Sequence, residues 1–363
     1  MFKPTLTFLL LSVLYAHAQD LNVNMLTTLD AGVNESSGLI NIDGRIITHN
    51  DSGDGAKLYE IDDSDGSITR TVTIENAGST DWEDICHDGT YIYIGDFGNN
   101  AGTRTDLAIY RVAISDYLAS DIVTCDTIRF NYSDQTDFEP ATYSTNYDAE
   151  AFIAYNDSLY VFTKNWGNSE TNVYSIPKIP GDYSVSIIDN FNPEGLVTGA
   201  DYDAEKGELL LTGYVLTSPF CYYIRSFTGH LFSGGSAMRY NVSISGSKQI
   251  EAVTALGGHT FYISSEDAVT GGPHLHEVKL SNFASLENSD ERIINCFPNP
   301  TSAFIRAQLP KNATAYLLDL KGHVLITSQD PTIDLTGLAK GLYILKVVDA
   351  NNQTLYTEQL IKR

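Results

Sequence analysis

Basic residues are scarce in this sequence, and their scarcity excludes one class of partner. The chain has 22 Lys and Arg against 46 Asp and Glu, which gives a formal net charge of −24. Nucleic acid binding requires a basic surface, so nucleic acid is excluded as a partner. The acidity does not indicate a disordered chain, because 42% of the residues are hydrophobic and can form a core.

Cysteine and histidine are also rare. The four cysteines lie at positions 86, 125, 221 and 296 and lack the paired spacing of a zinc site. Eight histidines and no clustered cysteines argue against zinc or copper. The motifs of serine hydrolases, zinc proteases, P-loop enzymes and dinucleotide-binding proteins are absent from the sequence. The spacing does not decide whether the cysteines form a disulfide or stay free.

Long hydrophobic runs are missing as well. No run of about 18 apolar residues occurs, so we expect no transmembrane helix in the mature protein. The apolar run Leu6–Tyr15 follows Lys3 and precedes Ala16-His17-Ala18, the pattern of a signal peptide with a small-residue cleavage site. The sequence therefore predicts a signal peptide over residues 1–19 and passage through the periplasm.

The central part of the chain, residues 20–290, contains a repeat of about 50 residues. Each repeat reads as four short strands separated by Gly, Asp and Asn turns, which predicts an all-β fold and a β-propeller. Five repeats are recognisable, and Leu21–Leu29 can supply the strand that the last one lacks. The long interval between Glu83 and Glu150 leaves a six-bladed propeller as the alternative.

One acidic residue recurs near the start of the first strand of each repeat. These are Glu35, Glu83, Glu150, Asp201 and Glu251. First strands line the channel of a propeller, so we expect the five carboxylates to converge and repel one another. A Ca²⁺ ion, which takes six to eight oxygen ligands without strict geometry, would offset this repulsion. The alternative is that the carboxylates cap backbone N–H groups of neighbouring blades.

A second set of residues follows the second strand of each repeat and is expected at the same end of the channel. It comprises His49, Asp51, Asp96, Asn99, Asn100, Lys164, Trp166, Tyr214 and Glu266. Carboxylates and amides here could bind a metal or a sugar hydroxyl, and Trp166 could stack on a sugar ring. Turn formation and packing between blades are the competing interpretations, since turns favour the same residue types.

The last part of the chain has its own pattern. It opens with Cys296-Phe-Pro-Asn-Pro-Thr-Ser302, continues through Leu318–Leu325 and Ile333–Val348, and ends in Lys362-Arg363. Alternating strands separated by turns predict a small immunoglobulin-like β-sandwich over residues 291–363. Residues 296–363 closely resemble the C-terminal sorting domain of type IX secretion (Por system) substrates. The resemblance implies export across the outer membrane by that machinery, followed by surface attachment or release.

The body resembles calcium-binding propellers in pattern only. Apyrase-like nucleotidases and phytase- or lactonase-like propellers place acidic residues at first-strand starts around Ca²⁺, and Glu83, Glu150 and Glu251 match that position. This likeness of pattern does not by itself assign an activity. One hypothesis is a secreted, Ca²⁺-dependent hydrolase of phosphoesters, lactones or glycosides, in which the metal polarises a substrate oxygen and a second carboxylate acts as base. The alternative is a non-catalytic propeller that binds a ligand or serves adhesion, with structural Ca²⁺. The residues do not decide between an enzyme and a binding protein.

Overall fold

The computed structural model describes residues 19–244, 249–266, 272–280, 296–297, 299–307, 309, 313–319, 322–348 and 354–363. Except for Gln19, the predicted signal peptide lies outside these residues. The chain divides into two compact units, Met1–Ser281 and Asn282–Arg363. No helix in the described ranges is long and apolar enough to cross a membrane.

The first unit is built almost entirely of strands. They are β1 (Gln19–Thr28), β2 (Ser36–Ile42), β3 (Arg45–Asn50), β4 (Lys57–Ile61), β5 (Ile68–Ile74), β6 (Trp82–His87), β7 (Tyr91–Asp96), β8 (Ala108–Ala113), β9 (Ile122–Val123), β10 (Asp126–Tyr132), β11 (Ala149–Tyr155), β12 (Ser158–Thr163), β13 (Thr171–Pro177), β14 (Gly181–Val185), β15 (Ile187–Phe191), β16 (Leu196–Asp203), β17 (Glu208–Val215), β18 (Ser218–Arg225), β19 (Ser236–Val242), β20 (Ile250–Gly257), β21 (Thr260–Ser265) and β22 (His274–Lys279). Its described residues also include one α-helix, α1 (Ile114–Ala119), and two 3₁₀ turns, Ala31–Val33 and Phe232–Gly234.

The strands form five antiparallel groups that follow the sequence. The groups are β2–β5, β6–β8 with β10, β11–β13 with β15, β16–β19, and β20–β22 with β1. Strand β1 lies between β22, its antiparallel partner, and β19, its parallel partner. The repeat predicts one strand after β13, but the structure has two, because β14 adds to β10 of the preceding group and β15 pairs with β13.

The first strands of the groups lie side by side. Strand β2 contacts β6, β6 contacts β11, β11 contacts β16, β16 contacts β20, and β20 contacts β2. Apolar side chains fill the space between neighbouring groups; Ile47 and Leu58, for example, pack in one cluster with Ile92 and Ile94. Each fully buried aliphatic side chain contributes about 1.5–3 kcal/mol. The hydrophobic core therefore holds the first strands in fixed positions around a common centre.

The second unit contains two antiparallel sheets. Its strands are β23 (Cys296–Phe297), β24 (Phe304–Ala307), β25 (Thr314–Leu318), β26 (Val324–Ser328), β27 (Thr332–Asp334), β28 (Gly341–Val348) and β29 (Thr354–Lys362). The sheets run β23-β24-β27 and β26-β25-β28-β29. Their shared core includes Ile305, Leu317 and Leu345, each 0% exposed.

The opening motif of this unit is tied to the end of the chain. Asn299 Oδ1 accepts a hydrogen bond from the Ile361 N–H at 3.0 Å. The Thr301 N–H donates to the Ile361 carbonyl at 2.9 Å, and the Arg363 N–H donates to the Thr301 carbonyl at 2.7 Å. Lys362 Nζ donates to the Ser302 carbonyl at 3.1 Å. We call this set of contacts the terminal clasp, since it joins the two most distinctive sequence motifs of the unit.

Candidate functional site

Each first strand of the first unit carries a β-bulge near its start. The pairing register shifts by one residue between Trp82 and Asp84, between Ala149 and Ala151, and at the matching places of the other three strands. A bulge inserts an extra residue and re-aims its side chain. The residues at this position are Ser37, Glu83, Glu150, Thr198 and Glu251. The structure thus brings three of the five predicted acidic residues to one repeated position.

The second strands end beside these bulges. The Asp51 N–H donates to the Glu35 carbonyl at 2.9 Å, and the Lys164 N–H donates to the Asp148 carbonyl at 2.8 Å. The Glu266 N–H donates to the Gln249 carbonyl at 3.0 Å. In each case the acceptor lies two residues before the bulge residue. The repeated bond places the side chains that follow the second strands next to the bulge residues.

These elements enclose a cavity of about 350 Å³. Its lining comprises Ser37, Asp51, Glu83, Asn100, Tyr143, Glu150, Lys164, Trp166, Tyr214, Gln249, Glu251 and Glu266. Five of these side chains are carboxylates, and among these lining residues the one cation is Lys164. Acidic groups therefore dominate the lining of the cavity.

Two carboxylate triads share Glu83. In one triad, oxygens of Asp51, Asp81 and Glu83 lie within 4.8 Å of one another; in the other, oxygens of Glu83, Asp148 and Glu150 do. Burial, and then the negative charge of Glu150, raises the pKa of Glu83 well above its ordinary value. Burial also raises the pKa of Asp51 and of Glu251 to about 8. Such shifts indicate carboxylates whose charge lacks full compensation.

The donor set fits a hard cation. All the candidate ligand atoms of both triads are carboxylate oxygens, which Ca²⁺ and Mg²⁺ prefer over nitrogen or sulfur. Asp51 Oδ1 is buried and has no hydrogen-bond partner among the described residues. A bound cation would satisfy this oxygen. Of the two cations, Ca²⁺ suits an irregular set of oxygens better, since Mg²⁺ demands near-ideal octahedral geometry.

Gly98 lets the backbone approach the acidic residues closely. A Cβ atom added at position 98 would overlap Glu83 Oε1 and Asp81 Oδ2. The Gly98 N–H also donates to the Asp81 carbonyl at 3.2 Å, which fixes the loop at this place. Any larger residue would push the two carboxylates away from their positions in the first triad.

Lys164 lies at the wall of the cavity and is 5% exposed. Its Nζ is 2.7 Å from Glu150 Oε1, and it lies over the rings of Trp166 and Tyr214 at 4.9 and 5.1 Å from their centroids. Burial alone would lower the pKa of Lys164, but the charges of Glu150 and Glu251 raise it well above its ordinary value. Lys164 is therefore a permanent cation that already has its counter-ion and its aromatic contacts.

Three of the predicted ligand-face residues are not among those that line the cavity. His49 is 0% exposed and packs edge-to-face on Trp82, and burial lowers its pKa to about 4. Asp96 forms an ion pair with Arg104 at 2.9 Å. Asn99 accepts from the Arg104 N–H at 2.9 Å and donates to the Tyr147 carbonyl at 3.2 Å. Their polar groups organise the surrounding loops.

Glu35 and Asp201 also differ from the other three acidic residues. Glu35 occupies the position two residues before the bulge, equivalent to Asp148. Asp201 lies three residues beyond the bulge, and its Oδ2 accepts from the Ala255 N–H of β20 at 2.6 Å. Asp201 thus caps a backbone N–H of the neighbouring strand group, which is the alternative role considered for these carboxylates. The bulge positions of β2 and β16 carry the hydroxyl residues Ser37 and Thr198 instead.

Asp81, Asp148 and Tyr143 belong to the site but are not among the residues predicted from the sequence. Asp81 and Asp148 each lie two residues before a bulge glutamate, so an Asp-x-Glu pattern was present in two repeats. Asp148 Oδ2 accepts from Trp166 Nε1 at 2.7 Å, and its Oδ1 accepts from the Asn99 N–H at 2.7 Å. Tyr143 lies in an irregular loop where no periodicity marks it.

A further buried carboxylate follows Glu83 on β6 and is not among the residues that line the cavity. Asp84, which is 0% exposed, accepts hydrogen bonds from the N–H of Ile85 on its own strand, of Phe152 on β11 and of Ala200 on β16, at 2.8, 3.0 and 3.3 Å. Burial raises its pKa well above the ordinary value, although these three bonds oppose the rise. Asp84 therefore joins three of the five first strands at the centre of the unit.

Fold and site together define an all-β protein with an acidic cavity in its first unit and a small separate unit at its C-terminus. Residues 295–363 match the family model described as "Secretion system C-terminal sorting domain". The C-terminal unit is thus a type IX secretion sorting domain, as the sequence predicted. This domain implies export of the protein to the cell surface or beyond.

Similar solved structures are β-propeller-like proteins. PorZ, an essential bacterial surface component of the type IX secretion system of Porphyromonas gingivalis, is 10% identical over 90% of this chain, with a TM-score of 0.36; the chain covers 45% of PorZ. A soluble aldose sugar dehydrogenase from Escherichia coli is 9% identical, with 71% and 99% of the two chains covered and a TM-score of 0.41. MPT-4, a mannose phosphorylase from Leishmania mexicana, is 10% identical, with 73% and 90% covered and a TM-score of 0.41. No curated protein matches the chain.

Proposed function

We propose that this protein is an exported five-bladed β-propeller whose acidic cavity binds Ca²⁺ and, with it, a small ligand. The five strand groups would be the blades, and β1 would close the ring by completing the group of β20–β22. The cation assignment rests on one observation: Glu83 belongs to both carboxylate triads. A bound Ca²⁺ would supply a positive centre that attracts ligand oxygens.

The residues of the cavity would have three different roles: binding the cation, positioning its ligands and binding the small molecule. Glu83 would lie at the centre of the cation site, with Asp51 and Asp81 on one side and Asp148 and Glu150 on the other. Trp166 holds Asp148 in place through its indole N–H, and Lys164 neutralises Glu150. The remaining lining carboxylates, Glu251 and Glu266, would accept hydrogen bonds from the ligand.

Calcium binding is the test of this proposal. We expect the purified chain to bind Ca²⁺ in calorimetry and to melt at a higher temperature with Ca²⁺ than with a chelator. Glu83→Gln removes the shared ligand charge and is expected to weaken binding at least tenfold, about 1.4 kcal/mol. Glu205→Gln, at an exposed carboxylate on a turn, is the matched control and should bind as the wild type does. A chain that holds no calcium by mass spectrometry and melts identically with chelator contradicts the proposal.

Hydrolysis is a second candidate, favoured by the spacing of two glutamates. An oxygen of Glu83 and an oxygen of Glu150 lie within 4.8 Å of each other. Carboxyl groups about 5 Å apart are typical of retaining glycosidases. If the protein is such an enzyme, Glu150→Gln should lower turnover at least a hundredfold in a panel of aryl phosphoesters, lactones and glycosides. Equal turnover by a folded Glu150→Gln variant would show that Glu150 takes no part in the reaction. A wild type that hydrolyses none of these substrates would contradict the hydrolase candidate and leave ligand binding as the proposed function.

A further inference from the structure

The rim of the acidic cavity carries an aromatic pair. Tyr143 is 63% exposed, and its ring centroid lies 4.7 Å from that of Trp166 in an edge-to-face arrangement. Both side chains line the cavity. Trp166 is partly buried. A large ring left in water, such as that of Tyr143, forgoes the stabilisation of burial, so its place beside Trp166 in the cavity lining indicates a surface that a ligand covers.

The fold holds both rings in place. The Tyr143 backbone has φ of 55°, an uncommon conformation for a residue other than glycine, and its N–H donates to the Asn100 carbonyl at 3.1 Å. Such a backbone costs of the order of 1 kcal/mol and persists only where the surroundings enforce it. The Trp166 ring is fixed by the hydrogen bond from its Nε1 to Asp148. The aromatic pair is therefore pre-organised rather than free to collapse onto the surface.

The charges of the cavity narrow the class of ligand. Even beside a bound Ca²⁺ and Lys164, the five lining carboxylates leave an excess of negative charge that disfavours phosphates and carboxylates, and Lys164 is already paired with Glu150. A cationic ligand at these rings would be repelled by Lys164, whose Nζ already lies over Trp166 and Tyr214. A neutral ligand with many hydroxyl groups meets neither obstacle, because hydroxyls donate to carboxylates and its apolar face can stack on a ring.

We infer that the cavity binds a neutral carbohydrate, with one sugar ring stacked on the Tyr143–Trp166 pair and its hydroxyls directed at the carboxylates. This inference rests on the proposed function, since vicinal hydroxyls of the sugar would complete the coordination of the bound Ca²⁺. The cavity volume of about 350 Å³ lies at the lower end of the range for small-molecule pockets. A cavity of this size suits one or two sugar rings, and the remaining sugars of a longer carbohydrate would extend past Tyr143.

Tryptophan fluorescence gives a direct test. The protein has two tryptophans, and Trp82 is 0% exposed in the core, so a ligand-induced change reports on Trp166. The full chain is titrated in Ca²⁺ with maltotriose, cellotriose, mannotriose and chitotriose. We expect at least one to shift the emission saturably, with a dissociation constant on the order of 1 mM. Tyr143→Ala should weaken that binding about tenfold, whereas Ile179→Ala, at another exposed apolar residue, should leave it unchanged.

The outcomes separate this inference from the proposed function. If no trisaccharide shifts the emission while calorimetry detects Ca²⁺ binding, the carbohydrate assignment is wrong and the cation site stands. If Ca²⁺ does not bind either, the proposed function itself fails. Saturable binding of spermidine or of trigalacturonate in preference to every neutral sugar overturns the neutral class. Equal sugar affinity in Ca²⁺ and in chelator overturns the role given to the cation.

Discussion

Deleting residues 296–363 is expected to abolish delivery to the cell surface while leaving a folded first unit inside the cell. The first unit has its own strands and its own cores, and the two units separate at residues 281–282. The truncated chain should therefore melt cooperatively, as a domain with an intact core does. In a host with a type IX secretion system, fractionation should find it in the periplasm. Normal extracellular amounts of the truncated protein would contradict the role of the sorting domain.

The terminal clasp allows a finer version of the same experiment. Asn299→Ala removes the hydrogen bond that Asn299 Oδ1 accepts from the Ile361 N–H. Thr301→Val removes the bond from Thr301 Oγ1 to the Phe304 carbonyl, which helps to hold the segment that contacts the end of β29. Each net hydrogen bond contributes about 1 kcal/mol, so the end of β29 should detach more readily without unfolding the sandwich core. We expect the exported fraction to fall severalfold. Thr332→Val, at an exposed threonine of β27, is the matched control and should be exported normally.

The sorting domain could be predicted from sequence because its signal consists of fixed local motifs. The all-β character of the first unit and its successive strand groups could be predicted for a related reason, since strand and turn composition repeats along the chain. The pairing of a strand with a group other than its own could not be predicted. Strand β14 is adjacent in sequence to β15 yet pairs in parallel with β10, and nothing in the alternation of its side chains distinguishes the two partners.

The candidate site was predictable only where the repeat is regular. Glu83, Glu150 and Glu251 each occupy the bulge position of their own strand, so aligning the repeats on their first acidic residue identifies all three. In the first repeat the same alignment selected Glu35, because the bulge residue there is Ser37 and the nearest carboxylate lies two positions earlier. In the fourth it selected Asp201, although the bulge residue is Thr198, which donates to the Ile250 carbonyl at 2.5 Å. A bulge changes register by one residue, and composition alone does not locate it.

Asp84→Leu is expected to lower the free energy of unfolding by about 3 kcal/mol. Leucine has a similar size but accepts no hydrogen bond, so the N–H groups of Phe152 and Ala200 would lose their bonds to the Asp84 carboxylate in a part of the fold where Asp84 is 0% exposed. Each unsatisfied buried N–H costs about 1–3 kcal/mol. Removing the carboxyl group from the protein interior is favourable and offsets part of the cost of the two unsatisfied N–H groups. Urea denaturation followed by circular dichroism measures the loss as a lower midpoint with an unchanged slope.

Asp84→Asn is the informative control, because the amide keeps one oxygen that can accept from the neighbouring strands. We expect it to lose less than half as much stability as Asp84→Leu. If both variants were as stable as the wild type, the three first strands would be held by their apolar contacts alone. If both lost stability equally, the negative charge rather than the accepting oxygen would be what joins β6, β11 and β16. The predicted order, with leucine much worse than asparagine, follows only if backbone N–H groups at the centre of the unit depend on that oxygen.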